Sequence, residues 1–154
     1  MSLPTLVALI SRLGRLSDAI AIEVCRRHDL NLSELRVLAT LRQTDGALAP
    51  TQLGPMINQT SGGLTATLRR LERRGLVGRV ADPNDGRARL TVITEPGAEL
   101  LDRAYADLVD RHAVALAGLD LERALVEVRA LVEALERAAG LASTSRWSAR
   151  DFGA

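Results

Sequence analysis

Residues 60–97 read TSGGLTATLRRLERRGLVGRVADPNDGRARLTVITEPG, and this stretch decides the fold. Thr60 can cap a helix N-terminus through its hydroxyl, and Gly75 can close the C-terminus in a left-handed conformation that side chains disfavour. Between them Leu64, Leu68 and Leu71 recur at i, i+4 and i+7, which predicts one buried helical face. At about 100° per residue the opposite face carries Gly62, Ala66, Arg69 and Arg73, flanked by Thr65 and Arg70. Leu76 to Ala81 then reads as a β-strand, Asp82-Pro83-Asn84-Asp85-Gly86 as a tight turn, and Arg87 to Ile93 as the returning strand. A helix followed by such a ribbon is the layout of a β-wing.

Upstream, Pro50 suits the first position of a helix, where its missing N–H costs nothing, and Gly54-Pro55 keeps that helix short. Asn31 and Glu34 have the spacing of a capping box, ahead of a helix that buries Leu35, Leu38 and Leu41 and stops at Asp45-Gly46. Leu6, Leu9, Leu13, Leu16 and Ile20 form the apolar stripe of a long first helix that ends near Arg27. Downstream, Thr94-Glu95-Pro96-Gly97 opens a long helix with Leu101, Ala104, Leu108 and Ala115. A last helix starts near Asp120 with Leu121, Leu125, Val128, Val132 and Leu135.

The pattern predicts a mainly α fold: a winged helix-turn-helix core with a two-stranded β-wing, plus long N- and C-terminal dimerisation helices. It divides as one domain over 1–139, with 1–29 and 97–139 as dimerisation helices and 31–95 as the winged helix-turn-helix. The segment 140–154, rich in Ser, Gly and Arg, reads as a mobile tail. The terminal stripes exceed what a small head can cover, so a second copy is expected over them.

Composition agrees. In 154 residues, 47% are hydrophobic and 2% aromatic, and the aromatics Tyr105, Trp147 and Phe152 all fall late. Leu- and Ala-rich segments suit helices packed on helices and disfavour an all-β sandwich. No run reaches the roughly 20 apolar residues of a membrane span, and no signal-peptide pattern opens the chain, so the expected address is the cytoplasm. One cysteine, Cys25, with His28 and His112, is too few ligands for a structural zinc site, and both histidines read as surface or helix-end residues.

The formal net charge of +1 hides a polarity along the chain. Residues 61–90 carry seven Arg against Glu72, Asp82 and Asp85, while the remainder is net acidic. All 20 basic residues are Arg, which keeps its charge at any working pH. A basic centre in an acidic chain points to a polyanion at one segment.

A recognition helix presents small or hydrogen-bonding residues where it enters the major groove and cations where it passes phosphates. Thr60, Ser61, Gly62 and Thr65 followed by Arg69, Arg70 and Arg73 have that order. A wing needs a cation near its tip for the narrow minor groove; Arg87, with Arg89 behind it, supplies one, and Asp85 is placed to hold the Arg87 guanidinium. Cys25 reads as a small buried residue; the rival reading, a sensor thiolate favoured by Arg26, Arg27 and His28, would need support from neighbours. No phosphate-binding loop, His-Glu-x-x-His or Gly-x-Ser-x-Gly elbow is present, so no catalytic residues are expected and no cofactor is implied. A protein-assembly module without specific DNA binding is the alternative function.

The sequence resembles the MarR family of bacterial transcription regulators over roughly residues 5–139. The resemblance rests on Leu68-Arg69-Arg70-Leu71-Glu72-Arg73-Arg74-Gly75-Leu76-Val77, on Asp82 to Arg87, and on Leu90 to Gly97. Asp85, Arg87, Thr94 and Gly97 match the family's wing signature, Asp-x-Arg then a strand then Thr-x-x-Gly, in order and spacing. It implies a homodimer with interlocked terminal helices and two heads on a pseudo-palindromic operator. It further implies repression relieved by a small effector or by cysteine oxidation. With so few aromatics, the effector expected here is small and apolar or anionic. Two positions depart from the family: Gly86 stands where Arg or Lys is common, and Ala49 where a capping Ser or Thr is preferred.

Overall fold

The computed structural model of the chain describes residues 2–44, 47–85 and 87–140. The helix stop expected at Asp45-Gly46, the wing residue Gly86 and the tail beyond Gly140 lie outside the described residues. The elements run α1 (Leu3–Arg27), α2 (Leu32–Gln43), β1 (Ala47–Leu48), α3 (Pro50–Met56), α4 (Ser61–Arg73), β2 (Val77–Ala81), β3 (Arg89–Ile93), α5 (Glu95–Ala115) and α6 (Leu121–Ala138).

Local chemistry sets most of the boundaries. In α2 the capping box is reciprocal: Glu34 N–H donates to Asn31 Oδ1 and Asn31 N–H to Glu34 Oε2, each at 2.9 Å. α4 begins at Thr60, whose hydroxyl accepts from Gly63 N–H at 3.3 Å. It ends in a Schellman motif, with Gly75 at φ +70, Gly75 N–H on the Glu72 carbonyl at 2.9 Å and Leu76 N–H on the Leu71 carbonyl at 3.0 Å. α1 closes in a similar way through Asp29, a non-glycine residue at φ 52, with Leu30 N–H on the Cys25 carbonyl at 2.8 Å. Ala49 offers α3 no side-chain cap, although its N–H donates to Gln52 Oε1 at 3.0 Å.

The sheet has the expected two-stranded wing and one short strand more. The wing ribbon β2–β3 pairs antiparallel from Val77↔Ile93 to Ala81↔Arg89, and a third short strand, β1, adds to β3 through Ala47↔Val92 and Leu48↔Thr91, in the order β1-β3-β2. Two residues carry no periodicity, so only the pairing with β3 makes β1 a strand. Thr94 joins the wing to α5: its hydroxyl donates to the Gly75 carbonyl at 2.6 Å and accepts from Gly97 N–H at 3.2 Å.

The core is shared by the head and the terminal helices. Val24 and Cys25 of α1, Val37, Leu38 and Leu41 of α2, Leu53 of α3, Leu68 and Leu71 of α4, and Leu101 and Ala104 of α5 form one buried cluster. The first half of α1 is different. Leu3, Leu9, Leu13 and Leu16 are each more than half exposed, and α6 has no buried residue although Leu121, Leu125, Val126 and Leu135 lie along it. Among the described residues no helix is long and apolar enough to cross a membrane.

Candidate nucleic-acid interface

α4 presents two faces of opposite character, as its spacing requires. Leu64, Leu68 and Leu71 are at most 3% exposed. Ser61, Gly62, Thr65, Ala66, Arg69, Arg70 and Arg73 are exposed. The Thr65 hydroxyl donates to the Ser61 carbonyl at 2.8 Å, which leaves its oxygen lone pairs and its methyl for an outside contact. A Cβ on Gly62 would meet nothing within 4 Å, so packing does not demand glycine there. Thr60 is engaged as the cap of the helix.

The arginines of the basic segment divide into two sets. Arg70 Nε lies 3.2 Å from Oε1 of Glu34, whose residue is 4% exposed. Arg74 donates to the Asp29 carbonyl at 2.6 Å and sits 3.9 Å from Glu34 Oε2. Arg79 of β2 pairs with Glu72 of α4 at 2.5 Å and donates to Thr91 Oγ1 at 3.0 Å, which ties the wing to the helix before it. Among the described residues Arg69, Arg73, Arg87 and Arg89 form no ion pair and are exposed. The seven look alike in the sequence because Asp29 and Glu34, which hold Arg70 and Arg74, lie far back in the chain.

At the wing tip Asp85 does not hold the Arg87 guanidinium. Its Oδ1 accepts the Arg87 backbone N–H at 3.0 Å, and its carbonyl accepts Ala88 N–H at 2.9 Å. A carboxylate two residues before an amide closes an Asx turn on the backbone more readily than it reaches the end of a long side chain. Asp82 does the same for Asn84 N–H at 2.8 Å. Asp85 therefore shapes the tip and leaves the Arg87 side chain unpaired among the described residues.

Cys25 is 1% exposed, and its thiol is pushed up to about 11 by burial first and then by the negative charge of Glu34. A protonated, enclosed thiol is a poor peroxide target, which supports the packing reading. His28 caps the end of α1 at 3.5 Å from Asp107 of α5, and His112 near the end of α5 lies 2.8 Å from the Leu108 carbonyl. No group of three or more His, Cys, Asp or Glu among the described residues could hold a metal ion. A groove between α1 and α5 is lined by apolar Ile20, Val114 and Ala115 and by the charged Glu23, Asp107, Asp110 and Arg111.

A basic, small-residue helix capped by Thr60 and clasped to a wing by Arg79 now stands beside its match to known proteins: the model of the MarR family matches residues 30–88. Over these residues the chain is similar to the MarR family. An uncharacterized HTH-type transcriptional regulator of Bacillus subtilis, YkoM, is 34% identical over 99 residues, which is 64% of this chain and 64% of that protein. The chain thus spans less than two thirds of that relative's length. A MarR family regulator from a Rhodococcus species has the same fold, with a TM-score of 0.74 at 21% identity over 88% of this chain and 95% of that one. Mutant MarR of Escherichia coli, solved in complex with operator DNA, has a TM-score of 0.69 at 25% identity over 85% of this chain and 94% of that one. The matched stretch covers α2, α3, α4, β2 and the wing turn, and so every expected DNA contact except Arg89, the first residue of β3.

Proposed function

We propose that the chain is a non-enzymatic, homodimeric, sequence-specific DNA-binding transcription regulator, a repressor that reads a pseudo-palindromic operator. The observation that carries this reading is the set of exposed arginines without ion pairs among the described residues, Arg69 and Arg73 on α4 and Arg87 and Arg89 at the wing, in and beside the stretch that matches the MarR family model. In this reading Ser61, Gly62 and Thr65 approach base edges, Arg69 and Arg73 pass the phosphates, and Arg87 enters the minor groove with Arg89 behind it. Thr60 and Asp85 act on the backbone, one as helix cap and the other as tip former.

The homodimer is supported by the apolar lengths of α1 and α6. Leu6, Leu9, Leu13 and Leu16 line a hollow with Leu131 of α6, and a second copy offers the same surface in return. Release of DNA by a small effector fits the groove between α1 and α5, whose lining by Ile20, Val114 and Ala115 suits an apolar molecule.

The test is binding of the purified protein to its own upstream intergenic DNA and to a scrambled duplex at two salt concentrations, with wild type and the Arg69→Ala/Arg87→Ala variant. The expected result is retention of the upstream duplex alone, with salt dependence that flattens in the variant, and lowered transcription from that duplex in vitro. Equal weak retention of both duplexes overturns the reading in favour of a protein-assembly module.

A further inference from the structure

We propose that Glu34 sets the specificity of the DNA-reading head, by holding Arg70 and Arg74 away from phosphates and fixing the recognition helix on α2; the inference rests on the DNA-binding reading above. Glu34 occupies the third position of α2 and is 4% exposed, an unusual place for a carboxylate. Its two oxygens are fully engaged. Oε2 accepts the Asn31 N–H at 2.9 Å and lies 3.9 Å from Arg74, while Oε1 faces Arg70 Nε at 3.2 Å. Arg74 is further tied to Asp29, through the carbonyl at 2.6 Å and the carboxylate at 3.4 Å. Beside Glu34, the Ser33 hydroxyl accepts a hydrogen bond from Gln59 Nε2, ahead of α4. The first turn of α2 therefore grips the recognition helix at both ends.

The consequence is electrostatic. A carboxylate buried by the fold acts as an internal phosphate. For Arg70 to reach DNA it must leave Glu34 enclosed with a weakened partner set, which costs more than a salt-screened phosphate contact returns. Contacts to phosphate dominate binding to any sequence, so two arginines withheld per head lower non-specific affinity above all. The helix that remains is rigidly seated and reads DNA with Arg69 and Arg73.

Glu34→Gln in the full chain tests this, since Gln keeps the shape and the acceptor that closes the capping box but removes the charge. Binding is measured across a salt series to the upstream intergenic duplex and to its scramble. The expected result is tighter binding to the scramble, a slope of log affinity on log salt steeper by about one to two per head, and a several-fold fall in the ratio between duplexes. An unchanged slope and ratio overturn the proposal.

Arg70→Gln supplies the complementary test, with its urea midpoint measured alongside because it takes one partner from buried Glu34. Its salt slope is expected to equal that of the wild type, whereas Arg69→Gln flattens the slope by about one per head. A matching loss for Arg70→Gln would put Arg70 on a phosphate and overturn the proposal. A wild type that fails to distinguish the duplexes overturns the DNA reading and this inference together; a discriminating wild type with an unmoved Glu34→Gln slope overturns this inference alone.

Discussion

The carbonyl oxygen of Leu76 stands only 2.0 Å from where a Cβ on Gly97 would lie, so the first turn of α5 rests directly on the backbone that leaves α4. The Leu76 carbon is 3.0 Å and the Ile93 side chain 3.1 Å from the same point. Backbone cannot retreat as a flexible side chain can. Gly97→Ala should therefore destabilise the fold by about 1–3 kcal/mol, read as a lower urea midpoint with an unchanged slope. An unaltered midpoint would mean that α5 lifts off the wing without cost.

Gly62 makes the opposite case. A Cβ there meets nothing within 4 Å, and glycine inside a helix costs about 1 kcal/mol relative to alanine. Gly62→Ala should raise stability by up to about 1 kcal/mol and weaken binding to the upstream duplex, because the added methyl stands between the backbone and the groove. Gain in stability with undiminished DNA affinity would remove Gly62 from the interface.

The thiol of Cys25 titrates near 11 in the fold against 9.0 in the unfolded chain, because burial and the Glu34 charge both disfavour the thiolate. Between these values the folded state keeps a proton that the unfolded state has lost, so the stabilisation is complete below pH 9 and is lost as pH rises through 11. The loss is on the order of 2 to 3 kcal/mol and should be absent from Cys25→Ala, whose own stability is lower throughout from the cavity it leaves. Burial raises the Tyr105 phenol as well, so the comparison of the two proteins, rather than either curve alone, isolates the cysteine. At neutral pH a thiol reagent should label native protein only at the rate of unfolding, and peroxide should leave DNA retention unchanged.

Leu13 is 58% exposed on α1 in the single chain. Polar substitutions at such positions usually change stability by less than about 0.5 kcal/mol. Leu13→Glu should nevertheless convert the protein from dimer to monomer in sedimentation, since it places a charge at the centre of the proposed interface. A wild type that sediments as a monomer, or a variant that stays dimeric, would count against that surface.

Chemistry that acts within a few residues was legible from the sequence. The caps at Asn31 and Thr60, the helix start at Thr94, the helix ends at Arg27 and Gly75, and the buried leucines of α2 and α4 depend on neighbours three or four positions away, and the structure has them as read. The strand character of Ala47 and Leu48 was not legible, because it exists only in the pairing with Val92 and Thr91. Nor was the role of Asp85, where backbone and side chain of Arg87 compete for one carboxylate and only the turn geometry selects the amide.

The sequence by itself determined the helices, the wing, the basic segment and the resemblance to a family, since hydrophobic period, capping and charge order are properties of adjacent residues. Only the tertiary structure decided which arginines are free. Asp29 and Glu34 precede Arg70 and Arg74 by about forty residues, and no local pattern links them. Burial of Glu34 under α4 makes that pairing strong, because a desolvated carboxylate must keep its partners while an exposed one can exchange them for water.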